Sequence, residues 1–226
     1  MTGAVRRGLV NLLTLLGLGL AACLVGLCIY ADLGFADALR DAPQLAQRAD
    51  GLVAAGHGPA DLGPGRFEQL LLVEDPAFAR HGGVDFSTPG AGMTTLTQAL
   101  AKTLAFERFQ PGLGKIRQTT YALGLEVRLT KEQIAALVLD NASFGRGPDG
   151  WMTGLFATSQ TVFGRPPAEL TDDEFRHLVA VLIAPRRLSL MQPNAELEER
   201  VRRIQRLETG DCAPRGLRDV WLEGCA

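Results

Sequence analysis

Two stretches of the 226-residue chain place reactive side chains at spacings that could do chemistry. The first, VEDPAFARHGG at 73–83, sets Glu74 beside Asp75, follows them with Phe78 and His81, and closes on two glycines. A carboxylate becomes a useful general base when burial or an acidic neighbour raises its pKa. Asp75 is such a neighbour and Phe78 can supply apolar cover. His81, one of three histidines in the chain, can hydrogen-bond to the pair or to backbone across the turn. Alone, these residues also fit an exposed acidic loop with a capping histidine. The second stretch is GMTTLTQALAKTL, 92–104. On a helix, Thr95, Gln98 and Lys102 share one face and Leu96, Leu100 and Leu104 take the opposite, buried side. A hydroxyl, an amide and an ammonium together suit a phosphate or a sugar, although a plain amphipathic helix has the same pattern.

The elements that must position these residues read as helices. The leucines four apart predict one over Thr94–Leu104, and 113–128 predicts another. Thr130 with Gln133 and Thr171 with Glu174 form capping boxes opening KEQIAALVLDN and DDEFRHLVAVLIA. Asn194 can cap AELEERVRRIQRL, whose charges fall at i, i+4 as on a solvated helix. Glycine and proline mark loops at 82–92, 110–114, 145–150 and 164–167, and no convincing alternating strand is present.

Upstream, residues 8–30 carry no charge. They make a helix of about 34 Å, enough to cross a bilayer with some tilt. Arg6 and Arg7 precede the run and Asp32 follows it, so residues 1–7 are expected in the cytoplasm and 31–226 outside. A cleaved signal peptide, or a lipoprotein box at LAAC with Cys23 lipidated, is the alternative; the run continuing through LVGLCIY favours an uncleaved anchor. A membrane-proximal helix and linker (31–63), a mainly α domain (64–208) and a C-terminal tail (209–226) complete the organisation. Nothing in the balance of 23 basic and 25 acidic residues suggests a general nucleic-acid binder. Cys212 and Cys225 could form a disulfide outside the cytoplasm or stay as two thiols, and no cysteine pair has zinc-site spacing.

Together, the two stretches resemble the glycosyltransferase domain of peptidoglycan polymerases, glycosyltransferase family 51. This domain occurs in class A penicillin-binding proteins and in monofunctional transglycosylases. The family's first motif (ED, two residues, F, two residues, H, one residue, G) is matched by Glu74, Asp75, Phe78, His81 and Gly83. Its second, GGSTITQQLAKN, is matched by Gly92, Thr95, Thr97, Gln98, Leu100, Ala101 and Lys102. FGRPPAELTDDEF (163–175) resembles the family's hairpin-to-helix passage, and APRRLSLMQPNAELEERVRRIQRL (184–207) its closing helical motif. The resemblance implies a lysozyme-like, mainly helical fold on a single N-terminal transmembrane helix in a bacterial inner membrane. It implies lipid II and nascent glycan as partners at the membrane lipid, with other cell-wall synthesis proteins alongside and no nucleic acid. Glu74 would be the general base, Lys102 would sit near the diphosphate, and Asp75, Phe78, His81, Thr95, Gln98 and Lys115 would help to bind substrate. No cofactor is certain; a divalent cation, magnesium or manganese, at the diphosphate is the candidate.

The third family motif (RK, two residues, E) is only half kept. Lys115 and Glu126 match, Gly114 replaces the arginine, and Gln118 stands at the second catalytic glutamate. Glutamine keeps the shape and loses the charge, so Gln118→Glu is expected to raise the rate. Asp140 is a candidate replacement carboxylate, and Arg117 a candidate for the lost arginine. Three functions follow from this mixture. One is a divergent transglycosylase; another is a catalytically weakened relative that binds lipid II or a cell-wall partner. A lysozyme-type hydrolase is the third, disfavoured by the anchor and Lys102. The chain has no S-x-x-K, S-D-N or K-T-G triplet, so no transpeptidase is expected within it.

Overall fold

In the computed structural model, residues 3–226 are described, with side-chain surroundings from Leu9 onward. The apolar run and the segment after it form one helix, α1 (Gly3–Ala54), unbroken across the boundary expected after residue 30. Its first half exposes Leu9, Leu13, Leu16, Leu20 and Leu24, whereas Ala38, Ala42, Leu45 and Ala49 are buried. Those four positions repeat at four- and three-residue intervals, the signature of one buried helical face.

That face lies along α4 (Leu113–Arg128). The helices approach closely at Gly124, where a Cβ would stand 2.6 Å from the Ala38 Cβ. Arg117 donates to Asp37 at 2.6 Å and the Tyr121 hydroxyl to Asp41 at 2.8 Å, so α1 grips the domain by polar contacts as well. Arg48 pairs with Asp140 in the same way.

The remaining helices are α2 (Arg66–Glu74), α3 (Leu96–Leu104), α5 (Lys131–Asn141), α6 (Leu155–Phe163), α7 (Asp172–Val181) and α8 (Ala195–Glu208). The expected caps form: Thr130 accepts from the Gln133 N–H, Thr171 from Glu174 and Asn194 from Leu197. Helix α5 is the hub, burying Ile134, Ala135, Ala136, Leu137 and Leu139. Burial nearly all round its axis marks a helix inside the core, where each large aliphatic side chain contributes about 1.5–3 kcal/mol.

Three expectations are corrected. Residues 145–150 are not a plain loop, because β1 (Ser143–Gly147) and β2 (Gly150–Thr153) form an antiparallel hairpin with Gly147 opposite Gly150. Strands this short carry too few alternations to register as a pattern. The passage 163–175 holds no strand; it contains the end of α6, a 3₁₀ turn at Pro167–Glu169 and the start of α7. Helix α8 is not solvated all round: Leu197, Arg200, Val201 and Ile204 are buried. Behind it the tail is closed by a Cys212–Cys225 disulfide with its Cα atoms 5.2 Å apart.

Candidate active site

Glu74 is the last residue of α2 and faces a cleft of about 500 Å³. Leu96, Leu100 and Lys102 of α3 line the cleft, with Val138, Leu139 and Asn141 of α5, Arg200 of α8, and the loop from Gly90 to Thr94. The walls are largely aliphatic, so the few charges inside act across a poorly screened space. Glu74 is 19% exposed, and burial raises its carboxyl above the ordinary glutamate value. Arg200 opposes the rise and Asp75 adds to it. Placement at a helix C-terminus, the negative end of the dipole, works in the same direction as burial.

Arg200 was not among the residues singled out from sequence. It is 2% exposed, and its Nη2 lies 3.9 Å from a Glu74 oxygen. Its Nη1 donates instead to the Val220 carbonyl at 2.6 Å. The guanidinium therefore tempers the charge on Glu74 without occupying the carboxylate with a short bond. A signal for it existed: Arg200 lies within the Leu197–Val201–Ile204 stripe that α8 buries.

Asp75, next in the chain, points the other way and is fully buried. It accepts from the Leu96 N–H at 2.9 Å, at the start of α3, and from His81 Nε2 at 2.9 Å. The Gly83 N–H donates to His81 Nδ1 at 3.0 Å, so Nε2 carries the proton given to Asp75. The Thr95 hydroxyl donates to the Gly83 carbonyl at 2.8 Å, caps α3 and forms a capping box with Gln98. Gln98 Nε2 donates to Thr119 on α4, and Gln118 Nε2 donates to the Gln98 carbonyl at 2.6 Å. Phe78 is buried against His81 and Phe67, with the Lys131 ammonium 4.5 Å from its ring centre. Lys131 also donates to the His81 carbonyl at 2.7 Å and to Glu126 at 2.8 Å. One continuous polar framework thus ties the end of α2, the 76–83 turn, the start of α3 and α4 together.

The structure divides the sequence-derived site residues accordingly. Glu74 and Lys102 line the cleft. Asp75, Phe78, Thr95 and Gln98 are buried and, like His81, do not line it, whereas the sequence pattern sets them among the substrate-binding residues. Gln118 is 1% exposed, does not line the cleft, and its Oε1 has no hydrogen-bond partner. Lys115 sits at the mouth, donating to the Thr94 hydroxyl at 2.7 Å. Its pKa is lowered by burial and by the nearby Lys102 charge. Of the two candidates for the altered motif, Asp140 is paired with Arg48 and Arg117 with Asp37.

Two lysines and a threonine at the mouth suit an anion, not a divalent cation. Among the described residues no cluster of three or more His, Cys, Asp or Glu side chains is present that could hold a metal. The residues here do not fit a metal ion.

The chain is similar in sequence to known proteins. A family model described as Transglycosylase matches residues 60–208. Penicillin-binding protein 1C of Escherichia coli (strain K12) is 36% identical over 141 residues, covering 57% of this chain and 18% of that protein. The biosynthetic peptidoglycan transglycosylase of Rhodospirillum centenum is 29% identical over 175 residues, 72% of this chain and 74% of the relative. That of Xanthomonas campestris pv. campestris (strain B100) is 28% identical over 149 residues, covering 61% and 59% respectively. Because the family model spans most of the folded domain, the chain belongs to the transglycosylase family.

Proposed function

We propose that this chain is a peptidoglycan glycosyltransferase that polymerises lipid II into glycan strands with inversion at the donor sugar. The observation that carries the reading is Glu74: a carboxylate of raised pKa in an apolar cleft, with a cation 3.9 Å away that leaves its oxygens accessible. In the reaction, Glu74 takes the proton of the acceptor's 4-hydroxyl as that oxygen bonds to the donor's anomeric carbon. The bond from that carbon to the diphosphate oxygen breaks, and the diphosphate leaves on the lipid carrier with the electron pair. A raised pKa makes Glu74 a stronger base once ionised. Lys102 and Lys115 supply positive charge for the departing diphosphate, a stabilisation worth most in a water-poor site.

The framework around Asp75 and His81 contributes by holding Glu74, the start of α3 and Lys102 in register. Gln118 acts from within it, as a strut between α4 and α3, and takes no part in proton transfer. Helix α1 is, among the described residues, the one helix long and apolar enough to cross a membrane. In this reading it anchors the protein in the inner membrane with residues 1–7 in the cytoplasm and the domain outside, where a lipid-linked substrate reaches the cleft.

The test is turnover. Purified full-length protein in detergent, given labelled lipid II, yields glycan polymer, and Glu74→Gln yields none above background. Lipid II binding with no polymer at any protein concentration would instead assign the chain as a binding protein and overturn the proposal.

A further inference from the structure

The tail, residues 209–226, lies outside the 60–208 span shared with the family model, yet Val220 lines the cleft. Its contacts converge on two parts of the site. On α8, three arginines spaced three apart each donate to a tail carbonyl: Arg200 to Val220 at 2.6 Å, Arg203 to Trp221 at 3.1 Å and Arg206 to Cys225 at 2.9 Å. Three-residue spacing puts them along one side of the helix. The Trp221 ring lies 5.7 Å from the Arg200 guanidinium and 5.1 Å from that of Arg187. On the other side, the Gly90 N–H donates to the Gly216 carbonyl at 3.0 Å and the Gly92 N–H to the Leu217 carbonyl at 2.8 Å. That loop forms the cleft wall leading into α3.

The fit is close on both sides. A Cβ on Gly90 would stand 2.7 Å from Pro214, and one on Gly92 2.7 Å from Val220. Both glycines have left-handed φ, +81° and +72°, so a side chain there meets strain and collision together. The tail's own shape is fixed by Asp219, which accepts from the N–H groups of Arg215, Glu223 and Gly224. Leu222 is buried and has a left-handed φ of +55°. A non-glycine residue in that region persists where its surroundings over-determine it. The Cys212–Cys225 disulfide closes the loop that contains all of these groups.

We propose that the disulfide-closed tail is a positioning element of the active site, in which Val220 and Trp221 orient Arg200 beside Glu74 while Gly216 and Leu217 hold the Gly90–Thr94 wall. The proposal rests on the transglycosylase reading of the cleft. Arg200 has a carbonyl to one side, an indole near its face and Glu74 beyond, so the tail's position sets where its charge falls. A displacement of about 1 Å at such a group can cost about 10²-fold in rate. The charged groups around Glu74 are Arg200 from α8, Lys102 lining the cleft from α3, and Asp75 beside it; Arg203 and Asp219 face Arg200 in turn.

Full-length protein treated with a phosphine reductant tests this directly, because among the described residues Cys23 and Cys28 are already free thiols. Reduction of Cys212–Cys225, verified by mass, is expected to lower kcat by on the order of tenfold with little change in KM for lipid II. It should raise hydrogen exchange at the Gly90 and Gly92 amides. It should also move the acidic limb of the rate profile to higher pH, as Glu74 loses Arg200. The doubly substituted C212S/C225S protein should match the reduced wild type and ignore the reductant. Trp221→Ala, which keeps the disulfide, should reproduce the kcat loss and Trp221→Phe restore most of it. Verified reduction that leaves rate, pH limb and exchange unchanged overturns the proposal. If the oxidised protein makes no polymer, the polymerase reading fails instead, and exchange at Gly90 and Gly92 alone decides whether the tail holds the wall.

Discussion

Glu74 and Asp75 are adjacent carboxylates in opposite surroundings. Glu74 ends α2 facing the cleft, 19% exposed, with one cation at 3.9 Å. Asp75 is fully buried and spends its oxygens on His81 and on the first N–H of α3. The same division runs through the whole site, between a wall that can meet substrate (Glu74, Arg200, Lys102) and a framework behind it (Asp75, His81, Thr95, Gln98, Gln118). A residue can thus belong to a family motif without lining the cleft. Its contribution then appears as stability and geometry, and the two kinds of residue can be separated by experiment.

The largest effect is expected for the pair itself. Glu74→Gln should lower kcat by about 10²–10⁴-fold, the usual contribution of a general base, while the melting temperature stays close to wild type. Asp75→Asn should do the reverse first, losing about 1.5–3 kcal/mol of stability as a charge-assisted bond is weakened, with activity falling in step with unfolding. Lipid II turnover and thermal melts on both variants check this; an Asp75→Asn protein of full stability and no activity would break the comparison. The pH profile adds a sign. In the proposed reaction Glu74 works as a base only when ionised, so the rate falls as pH drops through its folded-state pKa. Burial has raised that pKa, which puts the acidic limb above the ordinary glutamate value.

Next in size is Lys102→Met, expected to cost about 10²-fold in kcat, comparable to removing one stabilising donor from a developing anion. Lys102 is exposed on α3 and lines the cleft, so the melting temperature should hold. Equal losses of stability and rate would move Lys102 from the wall to the framework.

The sequence carried different parts of this unequally. Capping boxes at Thr130 and Thr171 and the Asn194 cap were legible because each is a local rule, satisfied within four residues. The charge-free run was legible for the same reason. Thr95 and Gln98 fit a ligand face or a plain amphipathic helix by spacing, and the structure buries both in a capping box; helical periodicity alone shows which residues share a side, not which side meets solvent. Helix α6 was missed because its buried face includes Thr158 and Ser159, which blur the apolar stripe. Arg200 was hidden among the charges of α8. Its burial depends on Val220 and Trp221, about twenty residues on, and no local pattern reports a partner at that distance.

Gln118→Glu sharpens the comparison with a smaller effect and a reversed expectation. Read from the motif, a glutamate there should raise the rate. In the structure the Gln118 amide donates to the Gln98 carbonyl, and the residue is 1% exposed. A carboxylate would face that carbonyl without a proton to give. The variant should lose about 1–3 kcal/mol, read from chemical denaturation, with no gain in polymerisation rate. A gain with unchanged stability would put position 118 in the wall.

The smallest expected effect concerns the mouth. In the proposed reaction Lys115 must be protonated to neutralise the departing diphosphate, so its loss of charge sets an alkaline limb. Its pKa is lowered by burial first and by the Lys102 charge second. Removing that like charge in Lys102→Met leaves burial alone, so the Lys115 pKa should rise and the alkaline limb of the residual activity should move to higher pH. Lys115→Met should lack that limb altogether. A limb that stays in place in Lys102→Met would mean the two ammonium groups do not share one anion, and the mouth would then divide into two separate contacts.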